Sequence, residues 1–194
     1  MKRRSIGVFS GSFNPIHMGH LMLANYMREF TYLDEVWFVV TPHNPLKDPS
    51  GLLGDQSRLD MVRLALEGYS HMHVSDIEFR LPRPSYTVDT LSALKNEHPT
   101  SDFALIIGGD NWTLFNRWKN WESILQNHQL LIYPRVGQQV PISPEFQDRV
   151  QVVAAPLIDI SSTFIRQSIR DGKNIRAFLP PNVYEYIEKK GLYK

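Results

Sequence analysis

Short runs of consecutive apolar residues alternate along this chain with stretches whose apolar positions recur at helical spacing. The runs Ile6–Phe9, Glu35–Val40, Met72–Ser75, Phe103–Ile107, Leu130–Tyr133 and Val150–Ala154 read as strands, rich in β-branched and aromatic residues. Helical spacing is read over Leu21–Phe30, about Gln56–Glu67, Val88 to about Asn96, and Val183–Lys190, and in pieces between Trp112 and Leu125. "ISSTFIRQSIRDG" adds a helix with Ser161 or Ser162 as its cap, apolar positions at Phe164, Ile165 and Ile169, and Gly172 to end it. Continuous apolar strands belong to a sheet buried on both faces, so the pattern predicts an α/β fold. Its form is a Rossmann-like parallel sheet with helices on both faces. No repeat, low-complexity tract or linker interrupts the pattern, and 1–194 is expected to form a single domain.

In such a sheet, ligands bind beyond the carboxyl ends of the strands, where the strand order reverses. The unusual segments "GSFNPIHMGH", "TPHNPLK", "RPSYT", "IGGDN" and "DISSTFIR" each follow a predicted strand. Their convergence on one edge is a stronger signal than any one of them.

Composition narrows the classes. With 21 Lys plus Arg against 20 Asp plus Glu, the chain has no general attraction for polyanions, and neither nucleic acid nor a membrane surface is expected as a partner. An apolar share of 42% is that of a globular chain. The absence of cysteine excludes disulfides, thiolate zinc sites and a cysteine nucleophile, and fits a reducing compartment. Met-Lys-Arg-Arg could open a signal peptide, but the apolar run Ile6–Phe9 is too short for one and meets Gly11 at once. With no apolar stretch long enough to span a membrane, a soluble cytoplasmic protein is expected.

In the first loop, Gly11 and Ser12 would let the backbone approach a ligand and aim N–H groups at phosphate oxygens. A helix beginning near His17–His20 directs its positive end there, and the two histidines, one turn apart, share a face. Two imidazoles so placed can donate to a phosphoryl group that is gaining charge. The pair could instead be purely structural, or hold zinc. However, His-x-x-His lacks the spacing and central Glu of a metalloprotease helix, and no third ligand is evident. In "DISSTFIR", the bare N–H groups at Ser162 and Thr163 with Arg166 one turn on could form an anion site, or the segment could be an ordinary capped helix. Thr87 can cap the helix after "RPSYT". The segment "GGDNWTLFNRWKNW" carries three of the four tryptophans, at a spacing usual for core residues.

These motifs carry a resemblance. "GSFNPIHMGH" is similar to the H-x-G-H signature of the nucleotidylyltransferase α/β phosphodiesterase superfamily, and "ISSTFIR" to its second signature. "PHNPLK", "RPSYTVDTL", "IIGGDNW" and "AFLPPNVYEYI" narrow the resemblance to the nicotinate-nucleotide adenylyltransferases, over almost the whole chain. Ser10, Ser12, Asn14, Leu46 and Phe178 stand where Gly, Thr, Asp, His and Tyr are commoner. The resemblance implies the HxGH nucleotidylyltransferase type of fold and a reaction of ATP with nicotinate mononucleotide. The products are nicotinate adenine dinucleotide and pyrophosphate, with Mg²⁺ held mainly by the ATP phosphates and no metal ligand from the protein.

Residue by residue, it implies that His17, His20 and Arg166 are catalytic. ATP falls to them and to Gly11, Ser12, Phe13, Gly108, Asp110, Ser161, Ser162 and Thr163. The mononucleotide falls to Ser12, Asn44, Lys47, the backbone amides of Tyr86 and Thr87 (for its carboxylate), Trp118 (for its ring) and Arg135. Trp112 and Trp121 are left to core or rim. An adenylyltransferase for nicotinamide mononucleotide or phosphopantetheine, or a non-catalytic nucleotide sensor, stays open as an alternative, as does a homo-oligomer.

Overall fold

The computed structural model describes residues 3–42, 51–156 and 158–194. Six strands form one sheet: β1 (Arg4–Gly11), β2 (Glu35–Val40), β3 (Met72–Ser75), β4 (Ser101–Gly108), β5 (Gln129–Tyr133) and β6 (Val150–Val152), in the order β3-β2-β1-β4-β5-β6. Every neighbouring pair is parallel, with Val8 opposite both Trp37 and Leu105. The helices between them are α1 (Met18–Phe30), α2 (Asp55–Ala65), α3 (Thr87–Glu97), the single turn α4 (Gly109–Trp112), α5 (Trp121–Asn127), α6 (Ser162–Arg170) and α7 (Pro181–Lys190).

The four central strands β1, β2, β4 and β5 bury both faces, which is why they read as apolar runs, whereas the edge strands β3 and β6 are only partly buried. On one face Phe9, Val36, Phe38, Ile106 and Leu131 pack under α1, α2, α6 and α7. On the other, Ile6, Val8, Leu105, Ile107 and Ile132 pack under α3 and α5. A fully buried side chain of this size contributes about 1.5–3 kcal/mol through removal from water. The helices present matching stripes, Leu21, Ala24 and Met27 on α1 and Val183 and Ile187 on α7. The run expected to reach Ala154 pairs only to Val152. Val153 adds one further bond from its N–H to the Ile132 carbonyl, and Pro156 follows. No helix among the described residues is long and apolar enough to cross a membrane.

The chain runs from β1 outward to β3, then returns to the other side of β1 for β4 to β6. The order therefore reverses between β1 and β4. Just beyond that point, the turn after β1 is fixed from below by Arg58, which is fully buried. All five of its N–H donors are used. Nε bonds the Leu53 carbonyl, one terminal nitrogen the Ser12 and Thr41 carbonyls, and the other the Pro42 carbonyl and the Asp55 carboxylate. Asn14, also buried, donates to the Gly51 carbonyl and accepts from the Leu53 N–H and, at 2.8 Å, from the Tyr193 hydroxyl near the end of the chain. The turn is thus a rigid platform.

Candidate active site

Two adjoining cavities open at the switch point. The larger, about 620 Å³, lies between the turn after β1, the segment after β5 and the start of α6. The smaller, about 190 Å³, lies between the ends of β1, β2 and β4 and the start of α3. Their walls are shared at Phe9, Ser10, Gly11, Ser12, Asn111 and Tyr133. A third hollow, about 630 Å³, opens at the amino end of the strands around Ser5, Lys95 and Arg149. Among the described residues, none of the loops singled out above lines it.

In the turn, Phe13 adopts a left-handed backbone (φ 43°) and its ring folds back over Gly11. A Cβ on Gly11 would sit 3.0 Å from that ring, so the space this glycine leaves is taken up by Phe13, while Gly11 also lines both cavities. His17 is the residue before α1, and His20 lies on its first turn. The rings stack at 3.7 Å between centroids and 29° between planes. The His17 N–H donates to Nδ1 of His20 at 3.2 Å. That bond leaves the neutral His20 ring with its proton at Nε2, the tautomer a phosphate donor needs. His17 is 4% exposed, and its Nδ1 is buried with no partner. Burial, helped by the Arg135 charge, lowers its pKa to about 4, so it stands neutral at physiological pH. The glycine between the histidines has a steric reason. A Cβ at Gly19 would lie 3.1 Å from Nδ1 of His17 and 3.2 Å from its Cε1.

Helix α6 closes the larger cavity. Ser161 is its N-cap, accepting from the Phe164 N–H at 3.1 Å, and the Ser162 hydroxyl donates to the Pro15 carbonyl at 2.8 Å. Arg166 reaches the same turn, donating to the Asn14 carbonyl at 2.9 Å and to Thr163 Oγ1 at 3.3 Å. Two of its five donors hold protein groups, and the fork is thereby aimed along the cavity wall. Opposite, Asp110 and Arg135 meet at 3.4 Å, both more than half exposed, with the guanidinium 5.2 Å from the Tyr133 ring.

The smaller cavity gathers Tyr86, Thr87 and Trp118. Tyr86, not Thr87, is the N-cap of α3. Thr87 is the first helical residue, and no side-chain hydrogen bond caps the helix, because the backbone turns from extended to helical one residue earlier than the sequence suggested. The Trp118 ring packs on Phe115 at 5.3 Å while its Nε1 is buried without a partner. Lys119 lies 4.5 Å above the Tyr86 ring and 3.0 Å from Asp89.

A cytidylyltransferase-like family model matches residues 8–168. A relative from Flavobacterium johnsoniae, named probable nicotinate-nucleotide adenylyltransferase, is 52% identical over 97% of this chain and 98% of its own. A second of the same name, from Bacteroides fragilis, is 54% identical over 96% of this chain and 92% of its own. The chain belongs to the nicotinate-nucleotide adenylyltransferases. A Plasmodium falciparum nicotinic acid mononucleotide adenylyltransferase solved in complex with NaAD shares the fold at a TM-score of 0.78. It is 21% identical and matches over 98% of this chain and 97% of its own.

Against that family, the structure brings together Gly11, Ser12, Phe13, His17, His20, Asp110, Arg135, Ser161, Ser162, Thr163 and Arg166 around one cavity and Tyr86, Thr87 and Trp118 around the other, which Gly108 also lines. Asn44 and Lys47 lie outside the described residues. Trp112 and Trp121 pack partly buried against the second core, as expected of core or rim positions. In this adenylyltransferase the sequence reading missed Ser10, Asn111 and Tyr133 in the shared wall, and Glu78, Arg117 and Lys119 in the smaller cavity. Tyr133 ends β5, so the strand-end rule that found the other loops would have found it too.

Proposed function

We propose that this chain transfers the adenylyl group of ATP to nicotinate mononucleotide, releasing pyrophosphate. The observation that carries the reading is the pair of cavities sharing one wall at the switch point. One is lined by phosphate donors, the other by an uncapped helix start and a tryptophan. Two substrates seated in adjoining cavities meet at that wall, the arrangement a single transfer between them requires. Support also comes from relatives that bear this activity in their names along nearly the whole chain.

ATP takes the larger cavity, its phosphates between the histidine pair and the start of α6, its ribose near Asp110. The mononucleotide takes the smaller one, its ring beside Trp118 and its carboxylate at the Tyr86 and Thr87 amides, where an unspent helix N-terminus favours an anion. A phosphate oxygen of the mononucleotide attacks the α-phosphorus. The new P–O bond forms as the bond to the β-phosphate's bridging oxygen breaks, and pyrophosphate leaves with that electron pair. Negative charge grows on the α-phosphoryl oxygens and the leaving group. His20 through Nε2–H, neutral His17 and Arg166 donate to it, held in advance by the capping bond, by burial and by the Asn14 carbonyl. Mg²⁺, when bound, would be held by the ATP phosphates and would supply charge neutralisation there. Among the described residues no three His, Asp or Glu side chains gather into a metal-binding group, and no step here depends on one. The cysteine-free chain suits the reducing cytoplasm.

The test incubates the protein with ATP and Mg²⁺ and, in parallel, nicotinate mononucleotide, nicotinamide mononucleotide or phosphopantetheine, and identifies products by mass. The acid dinucleotide with stoichiometric pyrophosphate is expected. Dephospho-coenzyme A formation alone would reassign the substrate, and binding without any product would make the chain a sensor.

A further inference from the structure

Glu78 is a buried carboxylate, 3% exposed, in the wall of a cavity assigned to an anionic substrate. Attraction cannot be its purpose there, since a carboxylate repels the group the cavity is to receive. Its contacts say what it does. One oxygen accepts from the Ser85 hydroxyl at 2.8 Å, the other from Thr90 at 3.0 Å, and the Thr41 hydroxyl donates as well. These partners lie on three elements. Thr41 follows β2, and its backbone N–H bonds the Gly11 carbonyl at 2.9 Å, at the phosphate turn. Ser85 immediately precedes Tyr86. Thr90 sits one turn into α3, fully buried, with its hydroxyl also 3.2 Å from the Tyr86 carbonyl.

We propose that Glu78 is a positioning residue that ties the Tyr86–Thr87 turn to the end of β2, and so sets the place of the substrate's pyridine carboxylate relative to the phosphate turn. The inference rests on the assignment of that carboxylate to Tyr86 and Thr87. The two ends of the mononucleotide must fit at once, the ring substituent at α3 and the phosphate at the shared wall. A short chain of hydrogen bonds from Gly11 through Thr41 and Glu78 to Ser85 fixes the span between them. Burial raises the Glu78 pKa, and the three hydroxyl donors oppose the rise by stabilising the carboxylate. Uncompensated charge there would cost the acid substrate affinity.

The test measures KM and kcat for ATP, the acid and the amide mononucleotide with wild type and Glu78→Leu, Glu78→Gln and Ser85→Ala. Glu78→Leu removes every link and should raise KM for the acid about tenfold or more, with KM for ATP within about twofold. Glu78→Gln keeps the shape, and the hydroxyls can turn to meet its amide, so it should recover most of the loss. Ser85→Ala should act in the same direction as Glu78→Leu but less. If Glu78→Leu does not fold, the other two carry the comparison. A Glu78→Gln enzyme as impaired toward the mononucleotide as Glu78→Leu would mean that Glu78 acts through its charge and not as a tether, and overturns the proposal. So would equal changes in both KM values, or no change in any variant. A wild type that uses acid and amide equally sinks the carboxylate assignment instead, and the variants still decide the tether through the KM of either mononucleotide.

Discussion

His17 stands buried and neutral, and this has a measurable cost in acid. Its pKa is about 4 in the folded chain against 6.5 for an unburdened imidazole, with burial the larger cause and the Arg135 charge the smaller. The folded value is the depressed one. The unfolded chain therefore takes up a proton first as pH falls, and the native state loses stability between about pH 6.5 and 4. At about 1.4 kcal/mol per pH unit of that gap, the loss attributable to His17 reaches about 3 kcal/mol by pH 4 and is absent above pH 7.5. The perturbation is His17→Asn, which keeps a polar side chain near that of a neutral imidazole and cannot be protonated. The assay is urea unfolding of wild type and variant at pH 7.5, 6, 5 and 4. The wild type should lose about 3 kcal/mol more than the variant across that range. His128, whose pKa is also lowered by burial, contributes equally to both and cancels. Parallel stability curves would refute the reasoning, because His17 would then ionise in the folded state as freely as in water. Its neutral state near pH 7 would then owe nothing to burial, and the role of burial in holding it neutral would fall.

Other outcomes follow from the same geometry. Gly19→Ala places a methyl 3.1 Å from Nδ1 of His17 and should lower kcat about tenfold with little change in either KM; a full-rate variant would mean that the His17 ring position is not critical. His20→Ala should lower kcat about 10²-fold or more in steady-state assays, since its donor matters most as charge develops. Arg166→Lys should impair ATP turnover, because an ammonium cannot both hold the Asn14 carbonyl and present a fork; unchanged ATP kinetics would return Arg166 to a structural role. Trp118→Ala should weaken acid and amide mononucleotides alike and leave their kcat/KM ratio nearly intact, as ring contact does not distinguish them.

The centre of the sheet was legible because burial on both faces leaves a run of apolar residues in β1, β2, β4 and β5. The site's edge was legible because every loop of interest follows a strand. What stayed hidden is the polar interior. Arg58, Asn14 and Glu78 look like surface residues in the sequence, and nothing local marks them as buried. Asn14 and Arg58 have remote partners, with Asn14 and Tyr193 separated by 179 positions and Arg58 and Ser12 by 46, and Glu78 meets Ser85 and Thr90 only across a turn of the chain. Gly11 shows the converse. Its smallness was legible, but the ring that uses the space is that of Phe13, which only the left-handed turn brings back over it. Thr87 looked like a cap because its side chain suits one, whereas the backbone begins the helix at Thr87 itself.

The central claim is that the mononucleotide phosphate attacks ATP directly, while His17, His20 and Arg166 only align and neutralise. The stereochemical course at the α-phosphorus tests it most directly. With ATP carrying sulfur in place of one α-phosphoryl oxygen, of known configuration, a single in-line displacement inverts the centre in the dinucleotide product. Inversion is the result expected. Retention would require two displacements, and with them an adenylylated protein group such as a histidine, contrary to the account.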